Sequence, residues 1–285
     1  MLNLDWATVL LAMGLNIIMA LSFYLAFSCG LLSLAQAGFM AIGAYLASWM
    51  TVNEGWDFYA ASLLGGLVAA FFGTLAALPA LRIRGIYLLL LTLGLNEIII
   101  VFFYNFEPTG GAEGFYGMKG YTKNWNVWLL VAALLFFFNR LERSRAGRAF
   151  EAVHADEEAA ELMGINLTTT KIQAFALSAF IAGVGGAFWA HFARSMEPVN
   201  FNVFVSIEFI IFVFVGGMRT YWGAVAGTVL LTLLDEIVLR NITIAGVELR
   251  GIAFGVILVL MMIFRPEGLL NRDPFAFLRR RKAVA

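Results

Sequence analysis

Four carboxylates lie within or beside apolar stretches. Glu97 sits in LTLGLNEIII, Glu208 in VSIEFIIF, and the pair Asp235-Glu236 near the end of another apolar run. On insertion scales a charge at the bilayer centre costs about 2.5–3.5 kcal/mol, so such a group faces a cavity or a partner. Turned toward an aqueous path, a carboxylate can hold an ammonium group, which suits a zwitterionic solute. Turned toward another helix, it serves as a hydrogen bond or ion pair of assembly. Asp235 and Glu236 can instead reach interfacial water. Gln36 and Asn96 add uncharged polarity. Gly38 and Gly43 interrupt one early apolar segment, and Gly216, Gly217, Gly223 and Gly227 a late one. Glycine-interrupted segments in two halves of a chain can mark a central path, with helix N-termini facing a substrate carboxylate. They can equally allow close helix packing. The candidate path is Gln36, Gly38, Asn96, Glu97, Glu208, Gly216 and Gly217.

A second cluster is denser. The stretch GRAFEAVHADEEAAELMGIN, residues 147–166, gathers five carboxylates and a histidine in a chain that is 61% hydrophobic. As one helix it places His154, Glu158 and Glu161 on a single face. Ala159 and Ala160 favour helix. Gly164 falls where a glycine ends one, and Thr168 or Thr169 can cap the next. The segment is too polar for the bilayer and too well capped for a loose linker, so it is expected at the membrane surface. Either it is a solvated surface helix, or it docks another protein. In the second case small residues allow close approach while carboxylates fix register. The candidate docking set is Asp156, Glu157, Glu158, Ala159, Ala160 and Gly164.

Both clusters need a scaffold. The 285 residues are 13% charged and include 27 Phe. A bilayer core about 30 Å thick needs roughly 20 helical residues to cross. Spans are expected near 8–29, 33–51, 58–80, 86–104, 126–140, 172–192, 203–218, 222–240 and 249–264. The fold class is therefore all-α: a polytopic helical membrane protein of about 8–10 transmembrane helices, one domain over 1–285. Segments 33–51, 203–218 and 249–264 are short or glycine-broken and read as full spans or as half-helices. The alternation of a β-barrel is absent. With the loop 141–171 inside, 14 of the 19 basic residues fall on the inner side and 5 on the outer. The positive-inside rule then puts the N-terminus outside, the C-terminus in the cytoplasm, and the loop 105–125 outside. The tail FLRRRKAVA is expected to anchor at the anionic inner leaflet.

Several chemistries are excluded. A net charge of zero gives no case for nucleic acid. The single cysteine, Cys29, implies neither a disulfide framework nor a metal site. His154 and His191 are the only histidines and lack metal-ligand spacing. His191 is expected at a membrane edge as an interfacial residue. Trp49, Trp56, Trp125, Trp128, Trp189 and Trp222 fall near span ends, as interfacial belts require. The phosphate-loop pattern G-x-x-x-x-G-K-[ST] is absent, so any ATP hydrolysis belongs to a partner.

Glu158-Ala159-Ala160-x-x-x-Gly164 resembles the E-A-A-x-x-x-G loop of ABC importer permeases. With Ile165-Asn166 following, it is similar to the loop of branched-chain amino acid permeases of the LivM type. Four other stretches resemble that family: Gly30–Tyr45, Leu91–Ile98 with Thr109–Gly114, Val215–Gly223, and Phe264–Leu269. The resemblance covers about residues 10–270 and implies an ABC importer permease fold in a bacterial inner membrane. It implies a second, homologous permease, two cytoplasmic ATPase subunits docked on the internal loops, and an external substrate-binding protein. ATP and Mg2+ would sit on the ATPase subunits, and this chain would bind no cofactor. Leucine, isoleucine and valine are the implied substrates, with urea or short-chain amides as the alternative. An ion-coupled secondary transporter also fits the intramembrane carboxylates, but needs no docking loop. A membrane transferase would need a catalytic constellation that the sequence lacks.

Overall fold

In lipid no water is at hand to satisfy backbone amides and carbonyls, so apolar runs of this length fold as helices. A computed structural model describes residues 5–80, 83, 85–237, 243–244, 247–248, 255–256, 259 and 268–269. The expected span 249–264, the motif at 264–269 and the basic tail 279–282 lie wholly or largely outside these residues. So do Arg82, Arg84, Arg240, Arg250, Arg265 and Arg272 of the charge count.

Ten α-helices run through the described residues: α1 Trp6–Phe27, α2 Gln36–Asn53, α3 Phe58–Ala80, α4 Ile86–Asn105, α5 Asn124–Arg143, α6 Arg145–Ala155, α7 Glu157–Leu162, α8 Leu167–Ala193, α9 Val203–Gly216 and α10 Tyr221–Ile237. Six stretches are long and apolar enough to cross a membrane: α1, α3, α4, α5, α8 and Pro198–Gly216. The chain is a multi-pass membrane protein.

The hub is α2. It packs against α8, α3 and α4, and its residues from Gln36 to Tyr45 are all buried. Gly38 and Gly43 do not interrupt it, contrary to the sequence expectation; they admit its neighbours. A side chain at Gly43 would run into the backbone of Gly183 on α8. Backbones this close are the usual means by which membrane helices gain packing contact.

The chain enters α2 through a non-helical stretch, residues 31–35, whose Leu31, Ser33 and Ala35 are buried. Such backbone is tolerated at membrane depth only where protein covers it. Its amides are supplied with acceptors. The Leu34 amide donates to Thr92 Oγ1 (2.9 Å), that of Ala35 to Ser33 Oγ (3.2 Å), and that of Ala37 to Ser206 Oγ (2.9 Å). Of the first amides of α2 itself, that of Ala37 is therefore already bonded within the chain.

At the opposite end of the bundle, two-residue strands β1 (Phe115–Tyr116) and β2 (Ser195–Met196) pair antiparallel and tie the 105–124 loop to the end of α8. His191, expected at the lipid interface, is instead fully buried. Its Nδ1 lies 2.9 Å from the Ala187 carbonyl oxygen and its Nε2 3.0 Å from Thr51 Oγ1. The rings of Phe58 and Tyr121 pack beside it. The end of α8 is enclosed by α2, α3 and the loop, which hides the imidazole from lipid.

Gly43→Val should overpack the α2–α8 contact and lower stability by about 1–3 kcal/mol. Gly94→Ala, whose new methyl would meet open space, should leave it unchanged or slightly raised. Thermal unfolding of the purified variants in detergent compares them; equal midpoints would contradict the packing described.

Candidate functional site

Between α5 and α8 the chain folds into an elbow, α6 followed by α7. Ser144 begins it, its side chain accepting from the Gly147 amide at 3.1 Å. Phe150 and Val153 are buried and fasten α6 to the bundle. His154 packs edge-on against Phe27, with ring centroids 5.0 Å apart.

The single helix expected here is two. Asp156 leaves helical geometry (φ −161°, ψ 112°). Its Oδ1 accepts from the amides of Glu158 and Ala159, both at 3.0 Å. An aspartate that caps the following turn competes with continuation of the preceding helix. His154 therefore does not share a helix face with Glu158 and Glu161.

The far end of α7 closes as a Schellman motif. The Ile165 amide donates to the Ala160 carbonyl (3.0 Å) and the Gly164 amide to that of Glu161 (2.9 Å). Gly164 takes φ +82° with open space where a Cβ would stand; its role is backbone conformation, not room for a neighbour. Asn166, not Thr168 or Thr169, caps α8, accepting from the Thr169 amide at 3.1 Å.

This geometry divides the docking candidates. Asp156 caps, Ala160 is buried, and Glu157 turns toward the bundle. Glu157 Oε1 lies 2.7 Å from Lys171 Nζ, in a pair whose side chains are 27% and 5% exposed. Glu158, Ala159 and Gly164 face outward. Beside them stand Leu162 and Met163, 88% and 83% exposed. Two large apolar side chains are held out on an acidic turn, exposed among the described residues, as at surfaces that meet a partner. Their place just before the terminating glycine was the available sequence signal. The Lys171 pairing had none, since the partners are 14 positions apart across a turn. Near this elbow the Cys29 thiol is free and fully buried.

The path candidates also separate. Gln36 is fully buried. Its Nε2 donates to Ser178 Oγ (2.9 Å), and Ser22 Oγ lies 2.9 Å from Gln36 Oε1 and 2.8 Å from the Ser178 carbonyl. These bonds join α1, α2 and α8. Asn96 is fully buried on α4 and donates to the Phe201 carbonyl at 3.3 Å. Its Oδ1 has no partner among the described residues and lies beside Gly38. Glu97, next along α4, is exposed. Glu208 is partly exposed on α9, which touches α4. Gly216 and Gly217 stand apart from this group, at the turn from α9 to α10, where Gly216 packs on Gly223 and Gly227. No group of three or more potential metal ligands occurs among the described residues.

The family model described as the permease component of branched-chain amino acid transport systems matches residues 6–264. The chain is 34% identical to the high-affinity branched-chain amino acid transport system permease protein LivM of Salmonella typhimurium, over 92% of this chain and 67% of that one. The Escherichia coli protein of the same name is 33% identical over the same shares. The L-arabinose transport system permease protein AraH of Escherichia coli is 29% identical over 58% of this chain and 44% of its own length. No solved structure matches the chain.

The ion pair makes an asymmetric prediction. Glu157→Gln strands a nearly buried ammonium, and breaking a buried pair in that way costs about 3 kcal/mol. Lys171→Met leaves Glu157, which can turn to water, and should cost less than half of that. Unfolding midpoints of the two variants in detergent test it; a larger loss for Lys171→Met would contradict the burial order.

Proposed function

The chain belongs to the branched-chain amino acid transport permease family, and from that premise we propose that it is one membrane subunit of an ATP-driven importer. It carries leucine, isoleucine and valine across a bacterial inner membrane. The elbow lies in the cytoplasm, with the N-terminus outside and the C-terminus inside. A second, homologous permease completes the pathway, two ATPase subunits bind ATP and Mg2+ and dock on the elbow, and an external binding protein delivers the solute.

The observation that carries this reading is the elbow. Between the candidate membrane spans α5 and α8 the bundle carries a short acidic helix, pinned by Lys171 and Phe150, with Leu162 and Met163 presented bare. A solvated surface helix would not need two exposed apolar residues at its tip. An ion-coupled transporter would have no use for the tip as a docking point. ATPase closure pushes on α7, and the push enters α8 at Lys171.

For the path we favour the side of α2 that meets α4 and α9. The unpartnered Asn96 oxygen lies there, a polar atom that a small rearrangement would offer to a solute. Glu97 and Glu208 lie on those same two helices and supply carboxylate chemistry for an ammonium group. Gln36 and Gly38 support this region from α2, while Gly216 and Gly217 set the turn that follows α9.

Two outcomes test the proposal in proteoliposomes holding the two permeases, the ATPases and the binding protein. Leu162→Asp with Met163→Asp should lower ATP-dependent leucine uptake about tenfold or more, equivalent to at least ~1.4 kcal/mol of docking free energy, with both permeases still inserted. Undiminished uptake would refute docking at the tip. Glu97→Gln should raise the KM for leucine about tenfold at unchanged assembly. Uptake of urea in preference to leucine by the unaltered complex would overturn the substrate.

A further inference from the structure

The outward faces of α3 and α4 differ in one respect. On α3 the exposed large residues are Tyr59, Leu63, Leu67, Phe71, Leu75 and others of the same kind, and its sequence contains no ionisable group apart from a tyrosine. That face suits lipid. On α4 the exposed row is Tyr87, Leu90, Ile98 and Val101. Glu97 is exposed beside it, and Gly94 opens onto empty space. Glu97 has no hydrogen bond or ion pair among the described residues. It lies just past the middle of a 20-residue helix, at the depth where a carboxylate facing lipid is least tolerated. A glycine on the same face permits another helix to come close.

We infer that this face of α4, continued by Phe204 at the start of α9, is the surface on which the second permease chain docks. The docked helix approaches at Gly94 and removes Glu97 from lipid, enclosing it between the two chains with a hydrogen-bond donor of the partner or the ammonium of the solute as its counterpart. Phe204, 75% exposed at the N-terminus of a helix that touches α4, extends the apolar part of the contact. The lipid-facing side is then α3. This inference rests on the reading of the chain as one of a pair of permeases, and goes further by naming which helix meets the partner.

The test uses the assembled complex in lipid nanodiscs. Single spin labels are placed at Ile98→Cys and Val101→Cys on α4, and at Leu67→Cys and Phe71→Cys on α3, in a Cys29→Ala background. Collision with oxygen, which concentrates in lipid, and with a water-soluble nickel chelate reports what surrounds each label. The α4 labels should be several-fold less accessible to oxygen than the α3 labels, and shielded from the chelate as well. Access of the α4 labels to either reagent, at a level equal to exposed positions, overturns the inference. Native mass spectrometry of the same particles counts permease chains. Two chains with lipid-exposed α4 labels would refute the docking face alone, whereas a single chain would refute the paired reading and the inference together.

Discussion

Inside a bilayer a polar group must find its partner within the protein, and the described interior is organised around that demand. The Gln36 amide is met by Ser22 and Ser178, the entry to α2 by Thr92, Ser33 and Ser206. Apart from Ser33, which belongs to the entry stretch itself, each partner comes from a helix that packs on α2. The same residues that satisfy the hub therefore fix which helices pack on it. The apolar surface alone could not do this, because lipid tails attract a leucine as well as another leucine does.

The same demand shapes the element that joins the elbow to the interior. One helix, α8, bears all the relevant contacts. It begins at the elbow with Asn166 as its cap and Lys171 paired to Glu157. About two and three turns further on, it offers Ser178 to Gln36 and then lays Gly183 against Gly43. At 27 residues it is about 40 Å long. In the proposed transport cycle, a displacement of α7 would be delivered to α2 by a single stiff element. The Glu157–Lys171 pair joins the two, with its lysine nearly buried and its carboxylate partly open to water.

Much of the scaffold is legible in the residues. The run from Phe58 to Ala80 ends where expected, and so, within a residue, does α4, because apolar length and flanking glycines mark the limits. Gly164 likewise marks its own turn. Other features are hidden for physical reasons. Helices apolar on every side give no sign of which face is inward, so the exposure of Glu97 and the burial of Asn96, its neighbour, could not be separated by spacing. Asp156 reads as a helix residue in an acidic run until its competition for the Glu158 and Ala159 amides is seen. Lys171 reads as one more positive charge at a membrane border. Only the fold shows that it turns inward to a carboxylate that the sequence assigns to docking.

In the proposed cycle the elbow is a handle, held outside the membrane on one side and gripped there by an ATPase partner. Labelling of Met163→Cys with a membrane-impermeant maleimide tests it directly, in a Cys29→Ala background and in vesicles of both orientations. Rapid labelling is expected only where the cytoplasmic face is accessible, with strong protection once the ATPase subunits are bound. Labelling from the outer face, or labelling unchanged by the ATPase subunits, would contradict it.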